Sequence, residues 1–374
     1  MTDHRDLWYA NPAARAWRTE PLRDDVAAFH RAMPGYRPTP LVELSALAAS
    51  VGAGRVFVKD ESSRFGLPAF KILGASYAIA RALAARYGLG DRAVPLAELG
   101  RRTADDPGLS FSAATDGNHG RAVAHMAALL GVPATVYVPS MLTAVAKRAI
   151  ADEGATVVEL DLGYDDVVTV CAERARRAGP DHLVVQDTAW DGYDLVPAWI
   201  VDGYATLFTE ADAQLRAAGA AGVDLVVVPV GVGSLAQAAV RHHRGGPVAP
   251  ALLLVEPDNA PGVTASLRAG RPLAVPTGAT VMTGLNCGTP SPLAWPLLAA
   301  GVDAAVTVGD AAAARAVADL EALGVDAGPC GAATLAGARA ALGDPGRRAA
   351  LDLPDAPVML LVSTEGRRAN PLPG

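Results

Sequence analysis

Lysine is nearly absent from this chain. Of its 32 basic residues only three are lysine: Lys59, Lys71 and Lys147. Arginine stays charged in any setting, whereas a lysine amine can give up its proton where the surroundings are dry. A chain that writes almost every cation as arginine keeps a lysine where arginine cannot serve. Cysteine is scarce too. Cys171, Cys287 and Cys330 are an odd set without metal-ligand spacing, so no metal site is expected and a reducing cytoplasm fits best. Positive charge is in deficit, 32 bases against 39 acids for a net −7. That disfavours nucleic acid and anionic membranes as partners, because both need clustered cations. Met1-Thr2-Asp3-His4-Arg5-Asp6 brings acids early with no apolar run behind them, so no signal peptide is expected.

What the chain does have is apolar content. At 51% hydrophobic and 19% charged it is not a disordered sequence, and 374 residues suffice for two lobes with real cores. Residues 122–146 contain no Asp, Glu, Lys or Arg, long enough to span a bilayer. Gly131-Val132-Pro133 and Pro139-Ser140 break that run, which reads instead as a buried helix, turn and strand.

Taken in order, residues 1–40 read as an arm packed on the body. Arg55–Lys59 alternates like a strand, and Asp60–Gly66 is a loop leading to Lys71. A helix follows from Lys71 to Arg86, stopped by Gly88. Strands are then expected at Leu109–Ala113, Thr135–Val138, Thr156–Leu160, Leu183–Gln186, Leu225–Val230, Leu252–Val255, Ala305–Val308 and Val358–Val362. Helices are expected at His119–Leu130, Leu142–Asp152, Tyr164–Ala178 and one long helix Val196–Ala218. Continuous apolar strands separated by helices mean βαβ units and doubly wound parallel sheets, an α/β fold. Gly343-Asp344-Pro345-Gly346 reads as a turn before the last strand, and Asn370–Gly374 as a loose tail.

Lys71 sits in Phe70-Lys71-Ile72-Leu73-Gly74-Ala75-Ser76, among apolar and small residues. Desolvation there lowers an amine's pKa and frees it for Schiff-base chemistry; a lysine snorkelling off a helix is the plainer reading. Four further stretches end predicted strands, the edge where open α/β sheets bind ligands. Thr115-Asp116-Gly117-Asn118-His119-Gly120 offers a carboxylate and an amide on a glycine turn, or a simple helix N-cap. Gly231-Val232-Gly233-Ser234-Leu235 can present N–H groups to a phosphate, or be an ordinary strand-to-helix turn. Gln186-Asp187-Thr188-Ala189-Trp190-Asp191-Gly192-Tyr193 suits a substrate loop or a packed surface loop. Val362-Ser363-Thr364-Glu365-Gly366 places a hydroxyl that can face a heteroaromatic nitrogen, or merely caps a strand. His242-His243-Arg244 reads as a solvated helix end, and Cys330 as a packing residue.

Together these stretches resemble the fold-type II pyridoxal-phosphate (PLP) enzymes, the tryptophan synthase β-like group. Within it they are most similar to the diaminopropionate ammonia-lyases. Arg64-Phe65-Gly66-Leu67, Phe70-Lys71, Ala113-Ala114-Thr115 running to Arg121, Gln186–Trp190 with Gly192-Tyr193, Gly284-Leu285 with Cys287-Gly288, and Ser363–Gly366 carry the likeness. The resemblance implies two open doubly wound parallel-sheet domains, a large PLP-binding one over 1–117 and 211–374 and a small one, 118–210, inserted in it. It implies that Lys71 holds PLP and moves the Cα proton, with Asp116 a second acid/base and Asp187 placing the substrate's amino group. Asn118 would bond the phenolic oxygen, and Gly231, Val232, Gly233, Ser234 and Leu235 wrap the phosphate. Ser363 would face the pyridine nitrogen, Thr364 being the alternate. The implied reaction is loss of ammonia from 2,3-diaminopropionate, a small amino acid, by a cytoplasmic homodimer.

The chain departs from that group's pattern at Pro329-Cys330, at Asn286 and at Arg367-Arg368, near the expected cofactor and substrate walls. A serine/threonine dehydratase, or a β-replacement enzyme acting on another β-substituted amino acid, therefore stays open. So does a non-catalytic small-molecule binding protein on the same scaffold.

Overall fold

The computed structural model describes residues 6–372; the N-terminal expectation for Met1–Arg5 and the last two residues of the tail lie outside them. Eleven strands are present among the described residues: β1 (Trp8–Ala10), β2 (Leu41–Glu43), β3 (Arg55–Asp60), β4 (Ser110–Ala114), β5 (Ala134–Pro139), β6 (Thr156–Leu160), β7 (His182–Val184), β8 (Leu225–Pro229), β9 (Ala251–Pro257), β10 (Ala304–Val308) and β11 (Val358–Ser363). They form a seven-stranded sheet, order β1-β10-β9-β8-β11-β3-β2, and a four-stranded sheet, order β6-β5-β4-β7. The small sheet is wholly parallel; in the large one only the edge strands β1 and β2 run antiparallel. Strands β8, β9 and β10 are buried along their whole length, as apolar runs covered on both faces must be.

The structure moves the expected domain boundary. Strand β4, ahead of residue 117, pairs with β5 and β7 in the small sheet. An apolar five-residue strand does not announce which of two sheets it joins; register does, and Phe111 lies opposite Ala134.

The single helix expected over Val196–Ala218 is two, Leu195–Gly203 and Ala205–Ala217. The break stands where the first piece crosses the helix Ile72–Arg86. A Cβ on Gly203 would lie 2.4 Å from the carbonyl oxygen of Leu73, and one on Gly74 would meet Ile200 and Tyr204 at 2.7 Å. Two glycines thus let the helices touch backbone to backbone, at Leu73 and Gly74, two and three residues beyond Lys71. Residues 122–146 fall in the helix Asn118–Leu130, a turn at Gly131, β5, the turn after it and the first residues of the helix Ala144–Asp152. No helix of the described residues is long and apolar enough to cross a membrane.

Three smaller expectations change. Gly343–Gly346 opens the helix Pro345–Ala350, with Asp344 capping Arg347 N. The tail is held at Asn370, which is buried and bonds Val281 O. His243 and Arg244 are buried, not solvated: Arg244 ion-pairs with Asp303, while His242 bonds Asp212 at 2.8 Å.

Candidate active site

Lys71 immediately precedes the helix Ile72–Arg86. The loop before it turns through left-handed backbone at Phe65 and Gly66. Fully buried Arg64 anchors that loop, donating to Glu61 and to Glu210 at 2.7 Å each. Phe70 N–H donates to Thr364 O at 3.1 Å, which fastens the lysine's approach to the end of β11. The Lys71 side chain is 19% exposed, into a cavity, and its Nζ donates to Asp187 Oδ2 at 2.6 Å. Here the expected lowered pKa is corrected. Burial does pull the amine down, but the Asp187 carboxylate, with Asp116 beyond it, outweighs burial and holds it above its ordinary value.

Opposite stands the turn after β4. Thr115 Oγ1 accepts from Gly117 N and Gly120 N, both at 2.9 Å. A Cβ at residue 120 would come within 2.4 Å of Thr115, so the turn closes only with glycine there. Asp116 and Asn118 line the cavity. Burial, against the pull of Lys71 and with the push of Asp187, raises the Asp116 carboxyl to about 7. Asn118 Nδ2 donates to Glu365 Oε2 at 2.5 Å. His119 Nε2 bonds Val185 O at 2.8 Å, leaving Nδ1 buried without a partner.

The third wall is the turn after β8. Gly231, Val232, Gly233, Ser234 and Leu235 all line the cavity, where the helix Ser234–Gly245 begins. Gly233 has a φ of +106°, and a Cβ on Gly231 would lie 3.1 Å from Cys287 Sγ and 3.2 Å from Gly284 O. The backbone N–H groups of residues 231–235 donate to no protein acceptor among the described residues. Five idle donors at a helix N-terminus are an anion cradle.

Of the other two stretches the structure brings in part. Asp187 lines the cavity; Trp190 and Tyr193 do not, stacking on one another instead at 4.1 Å. Tyr193 OH braces the loop by bonding Val184 O and Gln186 N. Strand β7 stops short of Gln186, whose side chain instead accepts from Ala114 N at 2.9 Å. Thr364 lines the cavity, while Ser363 is fully buried behind it beneath Gly331, its Oγ without a partner.

Sequence reasoning quoted Leu285, Cys287 and Glu365 within motif stretches but gave them no role, and did not single out Tyr164; all four line the cavity. Glu365 stood within a quoted stretch, but a glutamate in a loop reads as solvated. Here it is 2% exposed, and burial pushes its carboxyl up. Among the departures, Cys330 lines the cavity, whereas Asn286 does not and Arg367 pairs with Glu321 and Asp326 outside it. No cluster of metal-ligating side chains occurs among the described residues.

The sequence pattern of the family described as "Pyridoxal-phosphate dependent enzyme" matches residues 32–359. The chain is 41% identical over 273 residues to the diaminopropionate ammonia-lyase of Escherichia coli strain K12, covering 72% of this chain and 67% of that one. It is 34% identical to two crystal structures of the Escherichia coli enzyme, each covering 97% of this chain and 94% of the other. One is a complex with D-serine, at a TM-score of 0.88, and the other holds an aminoacrylate-PLP azomethine reaction intermediate, at 0.85.

The cavity fits that cofactor on its own terms. The idle N–H groups of the glycine turn suit a phosphate, and Gly231 keeps the turn packed close against Cys287 Sγ and Gly284 O, where a side chain would be crowded. Thr364 brings a hydroxyl to the lining, a donor that a pyridine nitrogen can accept from, and behind it the buried Ser363 hydroxyl has no acceptor of its own. Lys71 is the one amine in the lining. With its family's pattern running from the first lobe to the last strand, the chain belongs to the pyridoxal-phosphate dependent enzymes.

Proposed function

We propose that this enzyme removes ammonia from 2,3-diaminopropionate, the α-amino group following as a second ammonia on hydrolysis to leave pyruvate. The observation that carries this reading is the pair of carboxylates, Asp116 and Asp187, facing one amine in a cavity of the same family. Two acids attract a substrate with two amino groups better than one with an amine and a hydroxyl. The Escherichia coli relative bears the same activity in its name.

PLP, when bound, supplies the electron sink that makes the substrate's Cα–H bond acidic. The chain does the rest. Lys71 would hold the aldehyde carbon of bound PLP, and its amine, when free, would be the base for the substrate's Cα proton on its side of the cavity. Asp187 draws the ammonium form of Lys71 and of the substrate's amino group into place. Asp116, poised to about 7, exchanges protons at neutral pH from the other wall. A base on each side lets both enantiomers of the substrate react. Asn118 would donate to the phenolic oxygen, and the N–H groups of residues 231–235 would hold the phosphate. Ser363, or Thr364 in the lining before it, would donate to the pyridine nitrogen without a full negative charge, which would limit delocalisation and favour loss of the β-amino group. A homodimer in the cytoplasm is the setting we infer; all three cysteines are buried free thiols, compatible with reducing surroundings.

The purified enzyme, given each enantiomer of diaminopropionate without a co-substrate, is expected to yield one pyruvate and two ammonia. Faster turnover of serine would make it a dehydratase. Absence of pyruvate without an added nucleophile would make it a replacement enzyme.

A further inference from the structure

Glu365 is buried at the cavity wall, and no lysine or arginine pairs with it among the described residues. All its contacts are donors. Oε2 accepts from Asn118 Nδ2 at 2.5 Å, and Oε1 accepts from Cys330 N at 3.3 Å and Asn370 Nδ2 at 3.4 Å. Its backbone is fixed as firmly. The Glu365 carbonyl accepts from Gly328 N at 2.8 Å, the residue bridges to Ala69, and a Cβ on Gly328 would come within 3.0 Å of its Cγ. The carboxyl is therefore a rigid acceptor.

Asn118 is the less constrained partner. It opens the helix Asn118–Leu130 after Gly117, whose φ is +143°. Its side chain has no other hydrogen bond among the described residues. An asparagine amide rotates in a broad, roughly two-fold well and carries two N–H donors and one acceptor. Left alone at a cavity wall, it would present oxygen as readily as nitrogen. An acceptor that takes one N–H fixes the choice and leaves the other N–H free.

We propose that Glu365 is a positioning residue for the cofactor: it clamps one N–H of the Asn118 amide so that the second faces the cavity and meets the phenolic oxygen of PLP. This rests on the role given to Asn118 above. The clamp also joins the lobes, since Asn118 follows β4 of the small sheet and Glu365 follows β11 of the large one. A carboxylate suits the place better than an amide, because three donors converge on it. A glutamine would have to turn its own NH2 toward one set of them.

The test is a double-mutant cycle on PLP affinity and on the absorption maximum of the bound cofactor, using Glu365→Ala, Asn118→Ala and the double variant. Glu365→Ala is expected to weaken PLP binding about tenfold and to shift the band, with Glu365→Gln intermediate. Asn118→Ala is expected to do at least as much, and adding Glu365→Ala to it to change nothing further. Losses that multiply in the double variant would overturn the clamp while leaving Asn118 in its role. An Asn118→Ala variant with unaltered affinity and spectrum would overturn both. Should Glu365→Ala not fold, the same cycle with Glu365→Gln decides the matter by the same criterion.

Discussion

Lys71 Nζ and Asp187 Oδ2 lie 2.6 Å apart in the cavity between the two sheets. The contact decides the charge of the amine: burial alone would strip its proton, and the carboxylate keeps it. An amine must be neutral to attack an aldehyde, so this pair has to pass or share its proton before PLP is bound. Lys71 is therefore stored charged, by a carboxylate that the amine and His119 hold down to about 2 against its burial.

Asp187→Asn keeps the shape of this contact and removes its charge. The variant should still hold PLP, while its turnover of diaminopropionate falls by about 10²–10³, the scale of losing an acid/base partner. A steady-state pyruvate assay read beside the visible spectrum separates the two effects. Turnover equal to the parent's would reduce Asp187 to packing.

Asp116 sets a pH dependence. Its carboxyl is raised to about 7, so the basic carboxylate grows as pH rises from 6 to 8. Turnover of whichever enantiomer relies on Asp116 should climb over that interval and level off above it. In Asp116→Asn that limb should vanish along with most of that enantiomer's turnover, the other enantiomer being spared. If Asp116→Asn turned over D-diaminopropionate fully, the two-base account would fail.

The glycine turn makes a cofactor prediction. Gly233 has a φ of +106°, so Gly233→Ala should incur about 1–3 kcal/mol of strain or displace the turn. PLP should then bind about 10- to 100-fold more weakly. Fluorescence titration of the cofactor-free protein measures it. Unchanged affinity would place the phosphate elsewhere.

Glu210 is a stability prediction away from the chemistry. It pairs with two buried cations, Lys59 and Arg64, at 2.7 Å each. Glu210→Ala leaves Lys59 buried without a carboxylate and Arg64 with Glu61 alone, and should cost about 3–5 kcal/mol in thermal or denaturant unfolding. Burial opposes its ionisation, but Arg64 and Lys59 hold its carboxyl down to about 2. Its contribution is thus present above the ordinary glutamate value of about 4.3 and is lost as pH falls through about 2. Acid unfolding midpoints of the two proteins should converge across that window.

Much of this was legible in the sequence because it depends on local chemistry. Apolar strands ending in glycine or polar turns placed Asp116, Asn118, Asp187 and the 231–235 turn on one cavity. What stayed hidden was long-range. Scarcity of lysine did not by itself select Lys71, since Lys59 is more deeply buried and serves Glu210, Gln214 and Thr39 O. Which sheet β4 joins depends on pairing partners 23 and more residues away. The direction of the Lys71 shift needed a carboxylate 116 residues along the chain. Glu365 became a candidate only once Asn118, Cys330 and Asn370 were seen to converge on it.

With only three lysines in the chain, the covalent claim has a direct measurement. Borohydride reduction of the PLP-loaded enzyme, followed by peptide mass mapping, should fix the pyridoxyl group on Lys71. Finding it on Lys59 or Lys147, or on no lysine at all, would contradict the account.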